Sequence, residues 1–140
     1  MSKTMKVYLA GGMHTNWQDK VMGELENKDV VFYNPCNKNG VKYNPEKGEQ
    51  MSFEEFIGWD VHHIRNCDIV FVYGEKDNPG VGYMMEAAYA KGLGKTVVAV
   101  VEEDNKHIPT RYIDFMKPLA DVYFRSFSDG VKFLSSLVQH

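Results

Sequence analysis

Short apolar runs without polar alternation recur along this chain, and each is followed by a segment of helical periodicity. Lys6–Ala10, Val30–Tyr33, Asp68–Tyr73, Thr96–Val101 and Asp121–Phe124 read as strands. His14–Asn27, Phe53–Asn66, Val81–Leu93 (closed by Gly94), Ile108–Lys117 and Asp129–Val138 read as helices. A strand that is apolar on both faces needs cover on both sides, which means a parallel sheet between two layers of helices. The pattern predicts an α/β, three-layer flavodoxin-like (Rossmann-like) domain with a five-stranded parallel sheet of order 2-1-3-4-5, spanning residues 1–140 as a single domain. Ligands of such sheets bind beyond the carboxyl ends of the strands, where strand order reverses. Here that point lies between the first and third strands, so Gly11–Asn16 and the Glu75–Glu86 turn face it.

Composition narrows the functional classes. With 140 residues, 44% of them hydrophobic, the chain can bury a core without disulfides or metals. Its net charge of −3 offers no basic footprint for a nucleic acid polymer or an anionic membrane surface. No apolar run approaches the length of a bilayer span. Cys36 and Cys67 have no C-x-x-C spacing, which fits a reducing, cytoplasmic setting. The polar stretch from Asn37 to Gln50 reads as one long surface loop, of a length that is usually functional.

Three segments carry chemistry. Gly11-Gly12 ends the first strand, where glycine permits a close backbone approach or a positive φ. Neither G-x-G-x-x-G nor G-x-x-x-x-G-K-[ST] is present, so NAD and ATP sites of those kinds are not expected, and no cofactor is implied. The stretch Asp77-Asn-Pro-Gly-Val-Gly-Tyr-Met-Met-Glu86 leads a Gly-bearing turn into a helix with one early carboxylate. An acidic residue there can simply complement the helix dipole. Placed at the switch point among Met84, Met85, Ala87 and Ala88, it is also a poorly solvated and hence stronger nucleophile. Asp60 lies on the helix before the third strand and reads either as a solvated face or as an acid. His62-His63 are adjacent and point to different faces, so no metal is expected, and Ser, His and Asp form no triad pattern.

Together these residues resemble the nucleoside 2-deoxyribosyltransferase family, including bacterial relatives that begin with Y-L-A-G-x-x-H-[ST]-N-W. The likeness runs through Val7–Lys20, Asp60, Asn66–Tyr73 and most strongly Gly80–Lys95. It implies Glu86 as nucleophile, Tyr8 as the hydroxyl that orients it, and Asp60 as the group that binds and protonates the base. It places His14 where an aromatic ring packs on the base, and Gly80 and Gly82 near the sugar. Gly80 departs from the Asp common in the family's transferases, leaving Asp77 or Asn78 to reach the sugar or base. The resemblance further implies a homo-oligomer whose sites are completed between subunits, with Asp121 (or, one residue on, Val122) as the group lent to the neighbour.

The chemistry so implied is a double displacement on a nucleoside, with a glycosyl ester on Glu86 and transfer of the sugar to a free nucleobase. Glu75, Asp77 and Asp121 against the single Lys76 favour a nucleoside over its monophosphate. The alternatives are an N-glycosidase that gives the sugar to water and a non-catalytic nucleotide-derivative sensor. A flavin module is disfavoured, because no Ser/Thr-rich phosphate loop follows the first strand.

Overall fold

The computed structural model describes residues 4–12, 15–35, 52–77, 82–102 and 104–138. The five strands are β1 (Met5–Gly11), β2 (Val30–Tyr33), β3 (Ile69–Gly74), β4 (Thr96–Val101) and β5 (Val122–Phe124). The helices are α1 (Trp17–Glu24), α2 (Phe53–Asn66), α3 (Gly82–Gly92), α4 (Thr110–Ile113), α5 (Met116–Leu119) and α6 (Phe127–Leu137). All strands are parallel, in the order β2-β1-β3-β4-β5, so the expected topology is the one found.

Two cores share these strands because side chains alternate between faces along each of them. Val7, Leu9, Ile69, Phe71, Val98 and Val100 pack under α1 and α6, with Trp17, Val21, Leu134 and Val138. Tyr8, Ala10, Val70, Val72, Val97 and Ala99 face α2, α3 and α5, with Ile64, Ala87, Ala90 and Met116. Tyr8 is therefore the residue of β1 whose parity turns a hydroxyl toward α2 and α3, and it has no exposed surface.

Caps explain where helices start and stop. Ser52 and Glu55 form a capping box at the start of α2, with Glu55 N to Ser52 Oγ at 3.1 Å and Ser52 N to Glu55 Oε1 at 3.0 Å. The last helix begins at Phe127, two residues before the expected Asp129, because Ser126 caps it by accepting from Asp129 N at 3.2 Å. The continuous helix expected over 108–117 is instead α4 and α5. Pro109 disfavours helical backbone at Ile108, and the ring of Pro118 opposes a helical carbonyl at Asp114.

Helix α3 ends in a Schellman motif, in which Lys95 N donates to Ala90 O and Gly94 N to Lys91 O, both at 3.0 Å. Gly94 has φ +79°, in the left-handed region. Gly94→Ala is expected to destabilise the fold by about 1 kcal/mol, visible as a lower Tm. An unchanged Tm would mean that this turn is not held as described.

Candidate active site

A cavity of about 460 Å³ opens at the switch point between β1 and β3, within the range of small-molecule sites. Its walls come from the end of β1 (Gly11, Gly12), from α2 (Phe56, Ile57, Asp60, Val61, Ile64), from the first half of α3 (Gly82, Tyr83, Met85, Glu86, Tyr89), and from Pro35. The lining is apolar apart from a few groups, and its charged side chains among the described residues are Asp60 and Glu86.

Glu86 is the fifth residue of α3, just beyond the first turn, and it is half-buried. That position does not suit a residue placed only to complement the helix dipole, which acts mainly over the first turn. Its Oε2 accepts a hydrogen bond from the Tyr8 hydroxyl at 2.5 Å. Asp60, on α2 and 8% exposed, stands on the same cavity wall, and its charge also acts on the Tyr8 hydroxyl. Burial raises the Tyr8 pKa well above the ordinary tyrosine value, and the charges and hydrogen bonds of Glu86 and Asp60 raise it further. The phenol therefore keeps its proton and acts as a donor. Two carboxylates and one phenol from three elements thus converge at one wall.

Gly11 is there for space rather than for backbone freedom. A Cβ at this position would lie 2.5 Å from the Tyr73 carbonyl oxygen and 2.8 Å from Trp17 Cζ2. No left-handed φ is found at Gly11, in contrast to Gly94. The Gly12 carbonyl is held by Trp17 Nε1 at 2.8 Å and Gln18 Nε2 at 2.9 Å, so α1 fixes the floor of the cleft from the opposite layer. Thr15 Oγ1 donates to both oxygens of Glu75, at 3.1 and 3.2 Å, and ties the β1 turn to the β3 turn.

The other expected site residues divide by position. Gly82 lines the cavity, whereas Asp77 is not among its lining residues and is exposed and paired with Lys106 at 3.5 Å. Asp121 lies at the amino end of the sheet, away from the cavity of its own chain. There its Oδ2 accepts from Val97 N at 2.7 Å, and its own N–H donates to Val97 O at 2.8 Å. One chain therefore does not bring Asp121 to the site. His14, Asn78 and Gly80 lie outside the described residues, as does the stretch from Asn37 to Gln50.

Tyr83 was not singled out by its sequence context. It is 3% exposed, and its hydroxyl has no hydrogen-bond partner among the described residues. That hydroxyl lies where only glycine leaves room, 2.9 Å from the place a Cβ on Gly74 would occupy. Burial is the main reason its pKa rises to about 12. Tyr83→Phe removes a desolvated and unsatisfied group, so the variant is expected to match or exceed the parent by up to about 1 kcal/mol. A clear loss of stability in thermal or urea unfolding would reveal a partner for this hydroxyl.

Residues 4–104 match the family described as nucleoside 2-deoxyribosyltransferase like. The chain belongs to that family. Among solved structures, a 2-desoxiribosyltransferase from Leishmania mexicana has a TM-score of 0.68 at 18% identity, covering 94% of this chain and 97% of that one. A 2-deoxyribosyltransferase from Bacillus psychrosaccharolyticus has a TM-score of 0.61 at 23% identity, covering 89% and 88%. A CMP N-glycosidase from Clostridium botulinum has 0.57 at 18% identity, covering 94% and 98%. These likenesses bear on the fold, which this deoxyribosyltransferase-like chain shares with both kinds of enzyme. No curated protein matches the chain significantly. Among the described residues, no helix is long and apolar enough to cross a membrane.

Proposed function

We infer that this chain cleaves the N-glycosidic bond of nucleosides through a covalent glycosyl ester on Glu86 and passes the sugar to another free base. The observation that carries this reading is the 2.5 Å hydrogen bond from the buried Tyr8 hydroxyl to Glu86 Oε2, on a cavity wall that also presents Asp60. Tyr8 holds the Glu86 carboxylate in one orientation, and a fixed nucleophile avoids part of the entropic cost of attack. Glu86 attacks the anomeric carbon as the glycosidic bond breaks, through an oxocarbenium-like transition state. Asp60 gives a proton to the departing base. The same residue takes a proton from the acceptor base when that base attacks the ester.

The apolar side chains of Phe56, Ile57 and Met85 suit a flat heterocycle. The Glu86 carboxylate repels a phosphate, and no cationic side chain among the described lining residues offsets it, which favours the nucleoside over its monophosphate. We place the enzyme in the cytoplasm, as a homo-oligomer.

A hydrolytic reading is favoured by one feature, Gly80 in place of the acidic residue common in the family's transferases. Incubating deoxynucleosides and their monophosphates with and without a second free base separates the possibilities. Base exchange that depends on the acceptor is the expected result. Free sugar released at the same rate without an acceptor base would replace transfer by hydrolysis, and a clear preference for monophosphates would overturn the nucleoside assignment.

A further inference from the structure

The Tyr8 hydroxyl has two carboxylates within reach and one proton to share between them. Glu86 accepts its hydrogen bond from α3, and Asp60, on α2, lines the same cavity as Glu86, with its charge acting on the phenol. The other titratable groups on the cavity wall are Tyr83 and Tyr89. The Tyr89 hydroxyl accepts from Arg65 Nε at 2.7 Å, and the Tyr83 hydroxyl sits against Gly74. His63, one turn along α2 from Asp60, packs on the rings of Tyr33 and Trp59, with centroids 4.2 and 4.1 Å away. Burial and the charges of Glu86 and Asp60 are what act on the Tyr8 phenol.

We propose that Tyr8 serves the two carboxylates in turn, donating to Glu86 before attack and to Asp60 while the sugar is held as the ester. This rests on the reading above that Glu86 is the nucleophile and Asp60 the acid. In the first half-reaction a Glu86 oxygen forms a bond to the anomeric carbon, the carbon–nitrogen bond breaks, and its electron pair stays on the base. Asp60 passes its proton to that base and becomes a carboxylate. Glu86, now an ester, has lost its charge and is the weaker acceptor, so the Tyr8 O–H turns to Asp60. In the second half-reaction a nitrogen of the incoming base forms its bond to the anomeric carbon and yields its proton to Asp60, and the ester bond breaks with its electron pair returning to Glu86. Tyr8 then turns back. Tyr8 keeps its own proton throughout, consistent with the burial and flanking charges that hold it in the neutral form. Tyr8 is thus a positioning residue for both carboxylates.

The test needs no turnover. Glu86→Gln gives a neutral side chain that stands in for the ester, and the Asp60 carboxyl carbon is followed by 13C NMR across pH. A hydrogen bond to the charged form of a carboxyl lowers its pKa. Asp60 is therefore expected to titrate about one pH unit lower in Glu86→Gln than in the same protein carrying Tyr8→Phe as well. Equal midpoints in the two proteins overturn the proposal. A second comparison leaves Tyr8 in place. The phenol carbon signal of Tyr8 in Glu86→Gln is expected to shift when Asp60→Asn is added, and an unmoved signal also counts against the exchange. Failure of Glu86 as nucleophile would appear separately, as the absence of any glycosyl adduct on the unaltered protein.

Discussion

Replacing Glu86 by alanine is expected to abolish base exchange, lowering kcat by about 10⁴-fold or more, the scale seen when a covalent nucleophile is removed. The loss should fall on kcat, with substrate binding kept, because the apolar wall of Phe56, Ile57 and Met85 remains. Glu86→Gln sharpens the test. The amide keeps the shape of the side chain and an oxygen that can accept from Tyr8, so the fold should survive with little change in Tm. An amide is a far weaker nucleophile than a carboxylate, and activity should be lost equally. If Glu86→Gln keeps near-wild-type turnover, the carboxylate has another role. If both variants unfold, the residue acts in stability.

Asp60→Asn is expected to cost about 10² to 10⁴-fold in kcat, the usual contribution of a positioned general acid. The size of the loss should depend on the base. A nucleoside whose base departs readily as an anion needs little protonation and should be nearly indifferent to the substitution. One whose base is a poor leaving group should suffer the full loss. The same penalty for every base would mean that Asp60 binds substrate or supports Tyr8 without delivering a proton. Asp60 is buried on the wall that also carries Glu86. The unfolding curve of Asp60→Asn must therefore be measured beside its kinetics.

The layered sheet and its order were legible because the strands lack alternation, and an all-apolar strand has few other places to go. The helix ends were less so. Ser126 supplies a cap that moves α6 two residues earlier, and Pro109 and Pro118 break the segment expected to be one helix. Periodicity reports which face is buried and is weaker on where a helix can start. Within the site, the convergence of Tyr8, Asp60 and Glu86 follows from parity along β1 and from the packing of α2 and α3 on one face. No local pattern encodes those relations; family resemblance supplied them. Asp121 shows the opposite case, an acidic residue whose local setting gives no hint that it joins β5 to β4 at the far end of the sheet. Gly11 lies between, since a glycine after a strand signals a special backbone position without saying whether φ or space requires it. Here the Tyr73 carbonyl and the Trp17 ring decide for space. Tyr83 and the support of the Gly12 carbonyl by Trp17 and Gln18 were not legible at all, because they depend on contacts between layers.

The central claim is that Glu86 carries the sugar between cleavage and transfer. Its most direct test is peptide mass spectrometry of the protein quenched during reaction with a panel of deoxynucleosides in the absence of acceptor base. We predict a mass increase of one sugar residue on the peptide containing Glu86, lost on addition of a free base and absent in Glu86→Gln. Base release with no adduct on that peptide, or an adduct on a different carboxylate, would contradict the account.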